Sequence, residues 1–194
     1  MTLRIAIIQG HPDPAGGHFG HALAQGYATG AAEAGHEVRA IDLARLDFPL
    51  LRTRDEWQSG ILPEAVRQAQ DTIKWAEHLV ILYPLWLGAM PALLKAFLEQ
   101  VLRPGFAMKI ESGGAWRKLL TGKTARIIVT MGMPAFIYRW YFCAHSLKSL
   151  ERNILRFVGI APVRETLIGS VEACGDARRR KWLEELHALG RSAK

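Results

Sequence analysis

The sequence predicts a doubly wound α/β domain, a five-stranded parallel sheet of order 2-1-3-4-5 with helices on both faces. Three observations predict it. Short apolar runs of strand length alternate with segments of helical periodicity, five of each, which calls for parallel strands joined by crossover helices. The runs at Leu3–Ile8, Leu79–Tyr83 and Thr124–Thr130 are almost uniformly apolar, as strands covered on both faces should be. Those at Val38–Leu43 and Pro162–Ile168 mix in Arg39, Asp42, Arg164 and Glu165, which sheet edges tolerate. With right-handed crossovers, only an order that places the second and fifth strands outside satisfies both facts.

Taken in order, the first strand ends at Gly10 and Pro12. A helix follows the loop to Gly20, with Leu23, Tyr27, Ala31 and Ala34 on one face and Gly35 as its stop. A second helix begins at Pro63 and turns Val66, Ala69, Ile73 and Ala76 inward. Pro91 opens a third, where its missing N–H costs nothing, with Leu94, Phe97, Leu98, Val101 and Leu102 inward and Pro104-Gly105 as its end. Residues 105–123 break the rhythm, and Gly113-Gly114 reads as a turn. Leu147, Leu150, Ile154, Phe157 and Val158 mark a fourth helix stopping at Gly159; Trp182, Leu186 and Leu189 define the last. The predicted order is the flavodoxin-like arrangement, whose ligand crevice lies where the strand order reverses, between strands 1 and 3.

The bulk numbers narrow the function. A chain of 194 residues suits one domain spanning 1–194, able to bury about 70% of its unfolded surface. No apolar run approaches the roughly 20 residues of a membrane span, and the first is too short for a signal peptide, so a cytoplasmic protein is expected. Cys143 and Cys174 make neither a disulfide framework nor a metal spacing and read as small buried hydrophobes. The net charge of +7 raises the question of nucleic acid. Its densest cluster, Arg178–Lys181, would spread around a helix and form no phosphate-tracking face. Attraction of small anions, such as phosphate-bearing cofactors, is the better use of that charge.

Two loops flank the expected crevice. The first, Gly10-His11-Pro12-Asp13-Pro14-Ala15-Gly16-Gly17-His18-Phe19-Gly20-His21, runs from strand into helix, where free N–H groups and the helix dipole bind phosphate. It matches neither the Walker pattern nor the dinucleotide fingerprint. A flexible surface loop would also use such glycines; the crevice position favours phosphate. Three histidines raise the question of a metal, but with Asp13 as the only acidic co-ligand none is expected. The second loop, Tyr83-Pro84-Leu85-Trp86-Leu87-Gly88-Ala89-Met90-Pro91, has prolines at both ends, a flat indole, and a glycine that permits close backbone approach. It suits the edge of a flat ring.

These residues carry a resemblance. His11-Pro12, Tyr83–Trp86, Met90-Pro91-Ala92-Leu93-Leu94-Lys95-Ala96 and Gly105-Phe106-Ala107 resemble the flavodoxin-like quinone reductases, NAD(P)H dehydrogenases related to modulator of drug activity B, in order over residues 3–170. The resemblance implies a tightly bound FAD or FMN, hydride transfer from NAD(P)H to quinones in a ping-pong scheme, and a homodimer with active sites at the interface. It implies that His11, Gly17, His18, Phe19, Gly20 and Ala22 hold the flavin phosphate. Pro84, Leu85, Trp86, Leu87 and Gly88 would line the isoalloxazine edge, and Thr130, Met131 and Gly132 form the third loop. Chain length and the long first loop favour FAD over FMN.

The chain also departs from the family. Gly17, His18 and Gly20 stand where Ser and Asn are common, leaving His18 to compensate, and Thr130-Met131-Gly132-Met133-Pro134 lacks the double glycine of the animal enzymes. Tyr138 and His145 are candidates for the Tyr and His that those enzymes place near the nicotinamide and quinone. Phe136–Phe142 is dense in aromatics, which suits core and dimer packing for most members and a ring-stacking wall for one or two. One alternative is a regulatory subunit like the quinone-reductase-like ancillary proteins of potassium efflux systems. A flavodoxin-type electron carrier fits poorly, because such carriers are acidic and this chain is basic.

Overall fold

The computed structural model describes residues 2–111 and 114–194. Strand β1 (Arg4–Gln9) leads to helix α1 (Phe19–Glu33) and strand β2 (Glu37–Asp42). Helices α2 (Arg54–Ser59) and α3 (Glu64–Trp75) precede β3 (His78–Pro84) and α4 (Ala92–Val101). A hairpin of β4 (Met108–Ile110) and β5 (Trp116–Lys118) stands before β6 (Thr124–Thr130). After it come α5 (Ala135–Trp140), α6 (His145–Lys148), a π-helical stretch (Ser149–Leu155) and α7 (Arg156–Val158). Strand β7 (Val163–Ile168) and helix α8 (Asp176–Arg191) complete the chain. The main sheet is parallel throughout, in the order β2-β1-β3-β6-β7. This is the expected flavodoxin-like 2-1-3-4-5.

Strand alternation sorts side chains into two layers, because successive residues face opposite sides of the sheet. Ala6, Ile8, Leu79, Ile81, Tyr83, Ile127 and Val129 face α3, α4 and the π-helical stretch. Ile5, Ile7, Val80, Leu82 and Ile128 face α1 and α8. The central strands β1, β3 and β6 are buried almost end to end, whereas β2 and β7 each keep exposed charged residues.

Several elements differ from expectation. Helix α2 starts at an N-cap: Thr53 Oγ1 accepts from the Glu56 N–H at 3.1 Å, and Glu56 Oε2 reaches back to accept from the Arg52 N–H at 2.8 Å. The β4–β5 hairpin occupies part of the glycine-rich stretch. Gly113, half of the expected turn, lies outside the described residues, while the Glu111 N–H bonds the Ala115 carbonyl at 2.8 Å. Phe157 is not an inward residue; it is 41% exposed and lies against Trp116, with ring centroids 5.6 Å apart. The π-helical stretch causes this. Its wider turn buries Leu150 and Leu155, five apart, and shifts the phase of everything after it. Cys143 is also not buried, unlike Cys174, because it sits with Ala144 in a left-handed reversal (φ 52° and 48°) between α5 and α6. Among the described residues no helix is long and apolar enough to cross a membrane.

One buried group at the foot of the sheet gives a pH prediction. His78, 2% exposed, opens β3; its Nδ1 pairs with Thr124 Oγ1 at 2.6 Å, and its Nε2 is buried without a partner. Burial first, then the charges of Arg126, Arg164 and His36, hold its pKa down to about 4 against 6.5 in an unfolded chain. The unfolded state therefore binds a proton that the fold refuses. The stabilisation from this neutral imidazole is full above pH 6.5 and is lost as pH falls towards 4, up to roughly 3 kcal/mol. Urea unfolding between pH 7 and 4.5 should show this slope in the wild type and a flatter one in His78→Leu. Equal slopes would assign the acid sensitivity elsewhere.

Candidate functional site

The carboxyl ends of β1, β3 and β6 bring three loops to the reversal of strand order. The first is built from Gln9 outwards. Its amide, 6% exposed, donates to the Gly20 carbonyl at 3.3 Å, and its Oε1 accepts from the His11 N–H at 3.2 Å, so the strand end is tied to the helix start. Sequence reasoning missed Gln9; a polar residue closing an apolar strand was the available signal. Gly16 and Gly17, at φ 71° and 76°, then turn the chain back so that His18 falls over His11. The two imidazoles stack with centroids 3.9 Å apart and planes 17° from parallel. His21 lies 5.2 Å from His11, and the Trp86 ring meets His11 edge-on at 5.9 Å.

Hydrogen bonds fix what each imidazole can offer. The Asp13 N–H donates to His11 Nδ1 at 3.2 Å, so in the neutral ring the proton sits on Nε2. His11 is only 8% exposed, and burial first, then the charges of His18 and His21, hold its pKa below the ordinary histidine value against an opposite pull from Asp13. His11 is thus a neutral donor at neutral pH. His18 Nε2 lies 2.6 Å from Asp13 Oδ2, while Asp13 Oδ1 accepts from the Ala15 N–H at 2.9 Å. The His18 hydrogen bond, then that of Ala15, holds the Asp13 carboxyl below its usual range. Two imidazolium rings stacked this closely repel, which disfavours charge on both at once.

The start of α1 adds donors. His18 is its N-cap without capping by its side chain, and the first-turn N–H groups of Phe19 and Gly20 have no intrahelical acceptor. The Phe19 ring packs into the core beside α1, so its contribution to the loop is the backbone. Ala22 differs: its N–H already donates to the His18 carbonyl at 3.4 Å. A Cβ on Gly20 would press within 3.1 Å of Leu82 Cδ2, so glycine seats this end of the helix on β3.

The second loop is a tight reversal. The Trp86 N–H bonds the Ala89 carbonyl and the Ala89 N–H the Trp86 carbonyl, both at 2.9 Å. Leu87 and Gly88 between them have φ 47° and 75°, the positive pair of a type I′ turn. Proline 84 has no N–H, and the Leu85 N–H is spent on the Thr130 carbonyl at 2.7 Å. The N–H groups of Leu87 and Gly88 have no acceptor among the described residues. Leucine in the left-handed region is strained, a feature that concentrates at functional sites.

The third loop is mostly structural. The Met131 N–H bonds the Ile168 carbonyl at 2.9 Å and its carbonyl accepts from the Val171 N–H at 3.2 Å; Thr130 and Met131 are both buried. Gly132 is the exposed member and faces Glu172.

Leu87 and Gly88 also border a cavity of about 320 Å³, with Met133, Tyr138, Phe142, His145 and Ser146 around it. The structure therefore brings Tyr138 and His145 to one space. Their states differ: Tyr138 is 1% exposed, its hydroxyl bonded to Ser146 Oγ at 2.7 Å and to the Leu147 N–H at 3.1 Å, while His145 is exposed. Of the aromatic cluster only Tyr138 is core; Phe136, Trp140, Tyr141 and Phe142 are exposed by 46–80%.

Comparison with known proteins agrees with this architecture. A family model described as a flavodoxin-like fold matches residues 3–189. An uncharacterized NAD(P)H oxidoreductase of Haemophilus influenzae is 32% identical over 182 residues, 92% of this chain and 89% of that one. An FMN-dependent NADH:quinone oxidoreductase of Beijerinckia indica is 30% identical over 140 residues, 68% of this chain and 67% of its own. The solved structure of Smu.1420 from Streptococcus mutans UA159 has a TM-score of 0.80 and 28% identity, over 98% of this chain and 100% of that one. The chain belongs to the flavodoxin-like fold family, among its enzymes of the NAD(P)H:quinone oxidoreductase type.

Proposed function

We propose that this protein binds a flavin in the crevice and transfers hydride from NAD(P)H to quinones or related aromatic acceptors. The observation that carries the reading is the pair of unspent N–H groups at Leu87 and Gly88, on a strained turn between the phosphate-type loop and the 320 Å³ cavity. The residues fit such a cofactor. A Cβ at Gly88 would meet no protein atom within 4 Å, so a flat ring can approach the main chain there. His11 and the start of α1 supply donors for a phosphate, and His18 stands beside them.

A bound flavin supplies reversible two-electron chemistry, accepting and passing on hydride. The chain's own part is to hold and polarise. The Leu87 and Gly88 N–H groups would stabilise negative charge on the ring edge, Trp86 would shield it, and Met133 and Phe142 offer apolar contact to an aromatic acceptor. His145 can move a proton at the cavity mouth, whereas the Tyr138 hydroxyl, doubly bonded, positions Ser146 and the backbone of Leu147. The relative from Beijerinckia indica is named for FMN, which supports FMN over the longer FAD. The exposed face of Phe136, Trp140 and Tyr141 suits a second copy of the chain, as in a homodimer in the cytoplasm.

Purified protein should be yellow or should bind added FMN or FAD. NAD(P)H should bleach it, and menadione should restore the colour. A preparation that binds neither flavin would refute the proposal. A flavoprotein that NAD(P)H leaves oxidised would favour a regulatory subunit. Mass spectrometry of the released cofactor distinguishes FMN from FAD.

A further inference from the structure

The Asp13–His18 pair closes the first loop beside the start of α1. His18 Nε2 is engaged by the Asp13 carboxylate at 2.6 Å, which leaves Nδ1 as the nitrogen available to an incoming ligand. In the neutral ring with its proton on Nε2, Nδ1 is a lone pair that repels a phosphate oxygen; it becomes a donor only when the ring gains a proton. Asp13 lies where it can support that extra charge, and the stacked His11 stays neutral, so it does not oppose it. His11, 8% exposed, has its Nε2 free of any protein partner among the described residues. His21 adds a buried Nδ1 without a partner. The His11 Nε2–H and the first-turn N–H groups are donors gathered at a helix start, which suits an anionic ligand.

We infer that His18, held by Asp13, takes up a proton from solvent as the flavin's ribityl phosphate binds, so that the protein's grip on its cofactor weakens as pH rises above neutral. The inference rests on the flavin reading of this crevice and adds to it a proton-coupled clamp. The balance is simple: a phosphate dianion and one proton enter together, and both leave together. The charged and titratable groups facing His18 are Asp13 and His11 from its own loop and His21 from α1. The β3–α4 turn contributes Trp86, against His11, which carries no charge.

The test compares FMN with riboflavin, which lacks the phosphate. Flavin-free full-length protein is titrated with each from pH 7 to 8.5, above the second phosphate ionisation near 6. FMN should bind about tenfold more weakly at pH 8.5 than at pH 7, within the tenfold per pH unit that one linked proton allows, while riboflavin changes less than twofold. Calorimetry in two buffers of different ionisation heat should show net proton uptake with FMN and none with riboflavin. His18→Asn should bind FMN with a flat pH profile, and Asp13→Asn should move the weakening to lower pH. FMN affinity that stays constant across this range while both flavins bind overturns the clamp and leaves the flavin site standing. An unchanged slope in His18→Asn does the same. If neither flavin binds at any pH, the flavin reading itself fails and the clamp fails with it.

Discussion

Gly88→Val should lose flavin affinity by about a hundredfold or more while the protein still folds. Glycine 88 sits at φ 75°, and a Cβ built on it meets nothing within 4 Å. The substitution therefore introduces no clash inside the protein. A β-branched side chain in the left-handed region costs roughly 1–3 kcal/mol, which for a chain of this size lowers the melting temperature by several degrees without unfolding it. What it does change is the open space in front of the turn and the direction of two unspent N–H groups. Gly88→Asn is the informative partner, because asparagine tolerates this region and keeps the turn while still projecting a side chain into the crevice. Both variants should bind flavin poorly, measured by fluorescence quenching on titration, and both should melt cooperatively. A Gly88→Val protein that binds FMN as the wild type does would place the ring elsewhere.

Gly30→Leu should have the opposite character, losing the fold and with it everything else. Helices α1 and α8 approach each other through two glycines. A Cβ on Gly30 would fall on the His187 carbonyl oxygen, and one on Gly190 on the Tyr27 carbonyl oxygen, both closer than real Cβ atoms come. Those obstacles are backbone and cannot swing away. Separating the helices uncovers the layer in which Tyr27 and Leu186 cover Ile5, Ile7, Val80 and Leu82. Each large apolar side chain re-exposed forfeits about 1.5–3 kcal/mol, so two of them remove on the order of 4 kcal/mol from a total stability of roughly 5–15. Chemical denaturation should show a loss of that size or no folded protein at all. Gly26→Ala is the control: its Cβ would lie 3.4 Å from the Leu183 carbonyl oxygen, an ordinary contact, and alanine favours the helix. It should be neutral or slightly stabilising. If Gly30→Leu unfolds at wild-type denaturant concentrations, the close helix contact is not what holds α8 on the sheet.

The fold was legible because its signals are local. Arg39 in β2 and Arg164 with Glu165 in β7 mark the edges, since charge is costly on a strand covered on both faces; Arg126 in β6 is held there by a hydrogen bond to Thr166 Oγ1 at 2.6 Å. That alone ordered the sheet and put the loops after β1 and β3 opposite each other. Helix α2 was missed, because periodicity over six residues is too short to show it; Thr53 with Glu56 three residues on was the available signal. The phase shift that exposes Phe157 was not legible, because a π turn changes which residues face inward without changing their composition.

The site divides in the same way. By itself the sequence determined that a glycine- and histidine-rich loop and a proline-bracketed turn meet at the crevice, because strand order follows from residue chemistry and crossover hand. Only the tertiary structure decided which of their groups remain available. The N–H of Leu85 is spent because β6 brings the Thr130 carbonyl to 2.7 Å, and that of Ala22 is spent within its own helix, while those of Leu87 and Gly88 are left open. His18 lies over His11 because Gly16 and Gly17 fold the loop back on itself. The Leu85 and Thr130 groups that pair are distant in sequence, and no single segment contains both halves.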